Sequence, residues 1–385
     1  MNSGLIRQCN LVSPGIHLEG ATIEVAEGRI RALHPEGADL PDIPILADAC
    51  NQTVLPGFID IHTHGALSRD VCDGKPDALE TIGRAKIREG VTTFLPTTLT
   101  VSEECLQETA TLAADYMRSP TFAKAPGLHI EGPFINPNCA GAQNPEYVRP
   151  PSVQEIDRIR KVAPISIISI APEMDGGSEF IAAMKVRGIT VSIAHTAATH
   201  HQVRAAADHG ATHLTHFCNQ MTPMHHREIG VVGAGLLADD LMIEVICDKV
   251  HLCPDMIALV FKVKSMNQMM LVTDSIAASW MPDSSYDLGG LNVVVTNGEA
   301  RLPSGALAGS TLRYHQAVKN VAEITGIELE HLSRATGFNQ SRSLGWEGVG
   351  ELKVGAAADI VVLDEQFNPT AVFVDGVDKL PESSG

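Results

Sequence analysis

Between residues 54 and 274 the chain alternates between short apolar or β-branched runs and longer segments in which charged and apolar residues recur at helical spacing. The runs are VLPGFIDIH, VTTFLPTT, GLHIEG, ISIISIAPE, ITVSIAH, THLTH, MIEVICD and MMLVTD, eight in all. Their length and composition read as strands, and the segments around 77–90, 102–118, 153–162, 178–187, 199–209 and 254–265 read as intervening helices. Strand and helix alternating in this way predicts an α/β protein, a (β/α)8 TIM-like barrel. Residues 1–53 hold short alternating stretches such as ATIEVAEGRIRAL, and the tail ADIVVLDEQFNPTAVFVDG adds two short strands. Neither end has a helical segment or buries enough apolar surface to stand alone. The expected organisation is therefore a barrel over 54–345 and a small β-sandwich built from 1–53 and 346–385. The closing PESSG reads as a frayed or added tail.

The last positions of the runs carry His62 and His64, Glu131, His195, His216, Asp248 and Asp274. Barrel active sites are assembled at the carboxyl ends of the strands, so these side chains are expected to converge. Polar punctuation alone would mix in serine, asparagine, lysine and glycine; this set consists of metal ligands and carboxylates. In an extended strand, residues i and i+2 face the same side, which sets His62 and His64 about 6–7 Å apart, within reach of one ion.

Composition narrows the class. With 385 residues, 44% hydrophobic and 19% charged, the chain buries a large core. It has no run of about 18 apolar residues, and its first 30 residues lack the apolar stretch of a signal peptide. The expectation is a cytoplasmic protein with no membrane partner. Eight scattered cysteines without a C-x-x-C pair suit reduced thiols, most of them small buried hydrophobes. A formal charge of −18 argues against nucleic acid and anionic membranes, which are bound by displacing counterions with lysine and arginine. A small anionic substrate remains open, because one arginine and a few histidines in a pocket outweigh a distant acidic surface.

The stretches PGFIDIHTHG, LHIEGPF, APE, AHTAAT, THLTHFCNQM, HHREIGVVGAG, VTDSIAA and LAGSTL, in this order, resemble the N-acetylglucosamine-6-phosphate deacetylases of the amidohydrolase superfamily. The resemblance extends through GELKVGAAADIVVLD and so covers nearly the whole chain. It implies a metal-dependent barrel with a small β-domain, removal of acetate from an N-acetyl amino-sugar phosphate, and a homodimer. Glu131, His195 and His216 supply one carboxylate and two imidazoles from three strands, a common ligand set for hydrolytic zinc or iron that leaves room for water. His62 and His64 are expected to hold a second ion with Glu131 bridging, although some family members work with one. One or two divalent ions are thus implied, zinc or iron foremost, with manganese or cobalt as alternatives. Other amidohydrolases bridge with a carboxylated lysine from the fourth strand; ISIISIAPE offers none.

Asp274, at the end of LVTD, is the expected catalytic residue. Amide hydrolysis needs a base to deprotonate water and an acid to protonate the leaving nitrogen, and one carboxylate performs both in turn. The metal lowers the pKa of bound water from about 16 towards 7 and polarises the carbonyl. By resemblance, Arg227 and His251 bind the substrate phosphate with Asn219 and Gln220, with the arginine reaching across a dimer interface. His225 and His226 add donors or shape that loop. Leu307, Ala308 and Gly309 match a loop lining the sugar, where glycine permits close backbone approach. Ala142 and Gln143 belong to GAQNPE, where the family usually carries histidine in place of Gln143. An amide still donates a hydrogen bond to an oxyanion but carries no charge, which weakens the rate about 10- to 1,000-fold unless the second ion takes over. Gln143 and Gln220 also leave open a different substrate: the galactosamine epimer or another N-acyl sugar. A non-catalytic scaffold is the remaining alternative, disfavoured because every ligand is present. His200, His201, His209, His213 and His315 are read as structural or solvent-facing.

Overall fold

The computed structural model describes residues 3–381, so Glu382–Gly385 of the closing tail lie outside the described residues. The eight apolar runs are eight strands: β1 (Phe58–Thr63), β2 (Val91–Pro96), β3 (Leu128–Ile130), β4 (Ile165–Ile170), β5 (Thr190–Ile193), β6 (Ala211–Leu214), β7 (Met242–Ile246) and β8 (Met269–Val272). Strands β3 to β8 pair in chain order in one parallel sheet, and β1 pairs with β2 in a second parallel piece. Single parallel bridges connect the pieces, Thr97 to His129 on one side and Thr63 to Ser275 on the other. The sheet thus curls in two arcs rather than forming one continuous ladder. With only three residues, β3 offers few ladder bonds at the seam.

The six helices read from sequence are present: α1 (Ala78–Arg88), α2 (Glu103–Arg118), α3 (Val153–Ile159), α4 (Gly177–Val186), α5 (His200–His209) and, later in the chain, Pro254–Val263. Between them lies α6 (Gly230–Leu237), the apolar stretch GVVGAGLL, which has no polar face and hence no amphipathic period to read. Pro254–Val263 is therefore α7, and α8 (Tyr314–Thr325) follows β8. An antiparallel three-stranded insert, Ser285–Leu288, Leu291–Thr296 and Glu299–Arg301, separates β8 from the LAGSTL loop and has no counterpart in the sequence reading.

The two termini join in one eight-stranded mixed sheet. Ile360–Leu363 pairs antiparallel with Thr53–Pro56, which itself runs parallel to Gly4–Ser13. Ile6, Ile23, Val54, Ile360 and Phe373 from both ends of the chain are buried in one cluster of this sheet. Thr53–Pro56 belongs to the terminal sheet, and after Gly57 the chain enters β1 directly.

Candidate active site

Strand β1 is buried along its whole length, and its two-residue period sends His62 and His64 to one side. Glu131 directly follows β3, and His195, His216 and Asp274 each stand two positions past β5, β6 and β8. His195, His216 and Asp274 have positive φ values of 43°, 31° and 50°, a region non-glycine residues rarely adopt. Strain of this kind persists where surrounding contacts over-determine it, and here it turns three functional groups inward at the strand ends.

The six side chains meet. Glu131 Oε1 lies 3.0 Å from His216 Nε2 and 3.3 Å from His195 Nε2, while its Oε2 is 3.1 Å from His64 Nε2. Asp274 Oδ1 lies 3.2 Å from His64 Nε2 and 3.5 Å from His62 Nε2. Two potential metal-binding groups result, His62–His64–Glu131 and Glu131–His195–His216, sharing the carboxylate.

The ring orientations fit a cation. His62 Nδ1 is 3.0 Å from Glu244 Oε2, His64 Nδ1 3.1 Å from the Thr97 carbonyl, and His195 Nδ1 2.8 Å from the Cys139 carbonyl. Each Nδ1 thus donates its proton outward and leaves the Nε2 lone pair facing the centre. Facing Nε2 atoms lie 3.3 Å apart in His62–His64 and 3.1 Å apart in His195–His216, a repulsive contact unless a proton or metal ion lies between. The electrostatics make the same demand. Burial opposes charge on His62 and His64, yet the Glu131 and Asp274 carboxylates outweigh it, holding His62 well above its ordinary value and His64 at about 9. Burial likewise opposes charge on the acids, but the imidazoles hold Glu131 well below the carboxylate range and Asp274 down at about 2. Protons on the imidazoles satisfy this negative centre, and a divalent cation satisfies it directly.

These groups open on a cavity of about 170 Å3, also lined by Ala142, Gln143, Asn219, Gln220, His251, Leu307 and Gly309. Ala308 is fully buried behind that wall. Gly309 has φ +56°, and a Cβ there would stand 2.9 Å from the Asp274 carbonyl oxygen, so a side chain would push against the strand end. Gln143 Nε2 donates to Glu131 Oε2 at 2.6 Å, and its Oε1 accepts the Thr100 N–H at 2.6 Å. One Nε2 hydrogen is thus engaged on the shared carboxylate, and the other is left for the cavity that Gln143 lines. His251 donates from Nδ1 to Asp248 Oδ2 at 2.6 Å. Arg227 stands apart: it is exposed on a loop with His225 and His226, beside His200 and His201 at the start of α5, and does not line the cavity of its own chain.

Sequence reasoning missed a supporting layer. Glu244 is wholly buried in β7 and orients His62 from behind. Lys86, on α1, is also wholly buried, with Nζ 3.1 Å from Asp60 Oδ2, 3.1 Å from Glu89 Oε2, 3.2 Å from Thr273 Oγ1 and 3.0 Å from Ser275 Oγ. It therefore ties β1 to both neighbours of Asp274. The available signal was an acid inside an apolar run, Asp60 in GFIDIH and Glu244 in MIEVICD.

Residues 53–377 match the Amidohydrolase family. The chain belongs to the amidohydrolase family. Among curated relatives of this amidohydrolase, N-acetylglucosamine-6-phosphate deacetylase of Lysinibacillus sphaericus is 34% identical over 370 residues, covering 94% of each chain. N-acetylgalactosamine-6-phosphate deacetylase of Escherichia coli O157:H7 is also 34% identical, over 97% of this chain and 98% of its own. A solved structure of a mutant N-acetyl-D-glucosamine-6-phosphate deacetylase from Mycobacterium smegmatis, in complex with N-acetyl-D-glucosamine-6-phosphate, superposes with a TM-score of 0.91 at 30% identity, covering 98% of this chain and 99% of that one. No helix among the described residues of the amidohydrolase is long and apolar enough to cross a membrane.

Proposed function

We propose that this amidohydrolase hydrolyses the N-acetyl group of N-acetylglucosamine 6-phosphate, giving glucosamine 6-phosphate and acetate. The observation that carries the reading is one carboxylate, Glu131, shared by two imidazole pairs with Asp274 facing them. Relatives matched over almost their whole length act on N-acetylhexosamine 6-phosphates, and one binds the proposed substrate.

Glu131, His195 and His216 would hold one divalent ion, and His62 and His64, with Glu131 bridging, a second; zinc or iron is the natural choice for this nitrogen and oxygen set. When bound, the metal supplies Lewis acidity towards the amide carbonyl and a lowered pKa for the attacking water. The chain's own residues do the rest. Asp274 accepts the proton of the attacking water on its carboxylate and returns it to the amide nitrogen as the C–N bond breaks, so that the amine leaves neutral. A carboxylate at about 2 enters this cycle ionised at neutral pH, as a base must. Gln143 fixes Glu131 against rotation through its 2.6 Å hydrogen bond. His251, Asn219 and Gln220 face the sugar and phosphate, and the Leu307–Gly309 loop closes over the ring. Arg227, exposed in its own chain, reaches the phosphate of a partner's substrate in a homodimer.

The finer architecture belongs to the same proposal. The bridges Thr97–His129 and Thr63–Ser275 support closure of the two arcs into a (β/α)8 barrel over residues 54–345. The shared core of the terminal strands supports a small sandwich-like domain from 1–53 and 346–385, in a cytoplasmic enzyme. The equally similar galactosamine-type relative favours the epimer as a second reading. Acetate release from N-acetylglucosamine 6-phosphate, its galactosamine epimer and both unphosphorylated sugars tests the assignment. Turnover of the glucosamine phosphate alone supports it; equal or greater turnover of the epimer replaces it, and no acetate from any of the four refutes deacetylation.

A further inference from the structure

A second cavity, of about 270 Å3, is lined by Asp70, Cys72, Cys105, Tyr147 and Asp287 among others. The two cysteines are half-buried and unbridged, and Cys105 Sγ lies 3.6 Å from the Cys72 carbonyl oxygen. Cys105 is the third residue of α2, after the Ser102 cap, where helix N–H groups favour a thiolate. Cys72 Sγ accepts the Leu99 N–H at 3.4 Å. Hydrogen bonding from Cys72 lowers the Cys105 thiol to about 7, while the same contact and burial push Cys72 well up; the place of Cys105 in the first turn of α2 makes it the attacking thiol and Cys72 its partner.

We propose that Cys72 and Cys105 are a modification site that a hydroperoxide converts to a reversible disulfide, and that this bond weakens the hold on Glu131. In the first step the Cys105 thiolate attacks one peroxide oxygen: an S–O bond forms, the O–O bond breaks, and the leaving hydroxide or alkoxide takes up a proton. In the second, Cys72 gives up its proton and attacks the sulfenic sulfur; the S–S bond forms and hydroxide departs, protonated to water. Two electrons pass from the two sulfurs to the peroxide, which is the only oxidant required.

The route to the site is a short hydrogen-bonded chain. The Cys72 sulfur holds the Leu99 N–H, the next residue's N–H donates to Gln143 Oε1 at 2.6 Å, and Gln143 Nε2 donates to Glu131 Oε2 at 2.6 Å. Leu99 also lines the substrate cavity. Turning the Cys72 sulfur towards Cys105 withdraws the acceptor from Leu99 and frees the segment on which Gln143 depends.

The test oxidises the full-length zinc-loaded enzyme with hydrogen peroxide, blocks free thiols and maps peptides without reduction. A linked Cys72–Cys105 peptide pair that dithiothreitol separates is expected. A kcat/KM lower by about 5-fold, the worth of one lost hydrogen bond, and restored by dithiothreitol is expected with it. C105S should match the parent before oxidation and form no such pair afterwards. Sulfinic acid at Cys105, links to other cysteines, or an unmodified pair would overturn the proposal. A linked pair with unchanged activity would overturn the route to Glu131. Because the peptide map reads the bond without any substrate, its failure is distinct from failure of the deacetylase assignment.

Discussion

Lys86→Met replaces a buried ammonium with an apolar chain of similar length and leaves Asp60 and Glu89 facing each other without a cation. Breaking a buried pair by removing one partner costs about 3–5 kcal/mol, because a charge remains that neither water nor a counter-ion reaches. For a chain of 385 residues, with an unfolding entropy of about 0.8 kcal/mol/K, that corresponds to a fall in melting temperature of roughly 4–6 °C. Burial opposes the charge on Lys86, yet Glu89 and Asp60 raise its pKa above the usual lysine value, so the ammonium is the species lost. Thr273 and Ser275 also lose their common anchor, and Asp274 lies between them. Loosening a proton-transfer group lowers turnover by about 10- to 100-fold when positioning is the cause. Thermal unfolding, elemental analysis and acetate release on one preparation separate these effects. The expected variant keeps its metal, melts lower and turns over slowly. A second substitution sharpens the reasoning: Glu89→Gln should destabilise the parent but stabilise Lys86→Met, since there it removes one of two uncompensated charges. An equal effect of Glu89→Gln in both backgrounds, or a melting temperature for Lys86→Met within about 2 °C of the parent, would refute the charge argument.

Asp274→Asn should retain metal while turnover falls about 100- to 10,000-fold, measured by acetate release, because an amide cannot take the proton of water. Arg227→Ala should weaken kcat/KM for the phosphorylated sugar by at least about 10-fold and leave the unphosphorylated one unchanged; equal losses would detach the arginine from phosphate binding. Removing the metal with a chelator should abolish turnover and lower the melting temperature, with zinc or iron restoring both, since an ion bound only by the folded state stabilises it. His213 is wholly buried, neither ring nitrogen has a partner among the described residues, and burial lowers its pKa to about 3. The unfolded chain therefore takes up this proton below about pH 6.5 while the folded one does not, and stability is lost at about 1.4 kcal/mol per pH unit as pH falls between those values. In urea titrations His213→Leu should reduce the stability lost between pH 7 and pH 5 by about 2 kcal/mol.

What the sequence disclosed and what it hid follow from the range of each interaction. β1 and β8 are continuous apolar runs ending in ligand-type residues, so their existence, and the inward side of His62 and His64, follow from local period alone. α6 lacked a polar face to mark it, whereas the insert over Ser285–Arg301 does carry a legible apolar, alternating run, LNVVVT, which lies past the last of the eight strand–helix repeats and so falls outside that repeating pattern. Lys86 was invisible for a different reason: its partners Asp60, Thr273 and Ser275 are separated from it by up to 189 residues and meet only when β1 and β8 come together. Gln143 could be seen to replace a histidine, but its engagement with Glu131 and the Thr100 N–H depends on how the GAQNPE loop lies against β2's exit. That engagement changes the argument about rate. A side chain with its oxygen and one Nε2 hydrogen held by the protein keeps a single neutral donor for a substrate carbonyl, which falls short of a charged one, so the larger share of the polarising task would fall to the ions proposed for the two histidine pairs. Arg227 carries the same lesson to the surface: its motif is plain in HHRE, yet in its own chain the arginine lies exposed beside four histidines and outside the lining of the cavity, and its proposed phosphate role rests on the proposed second chain.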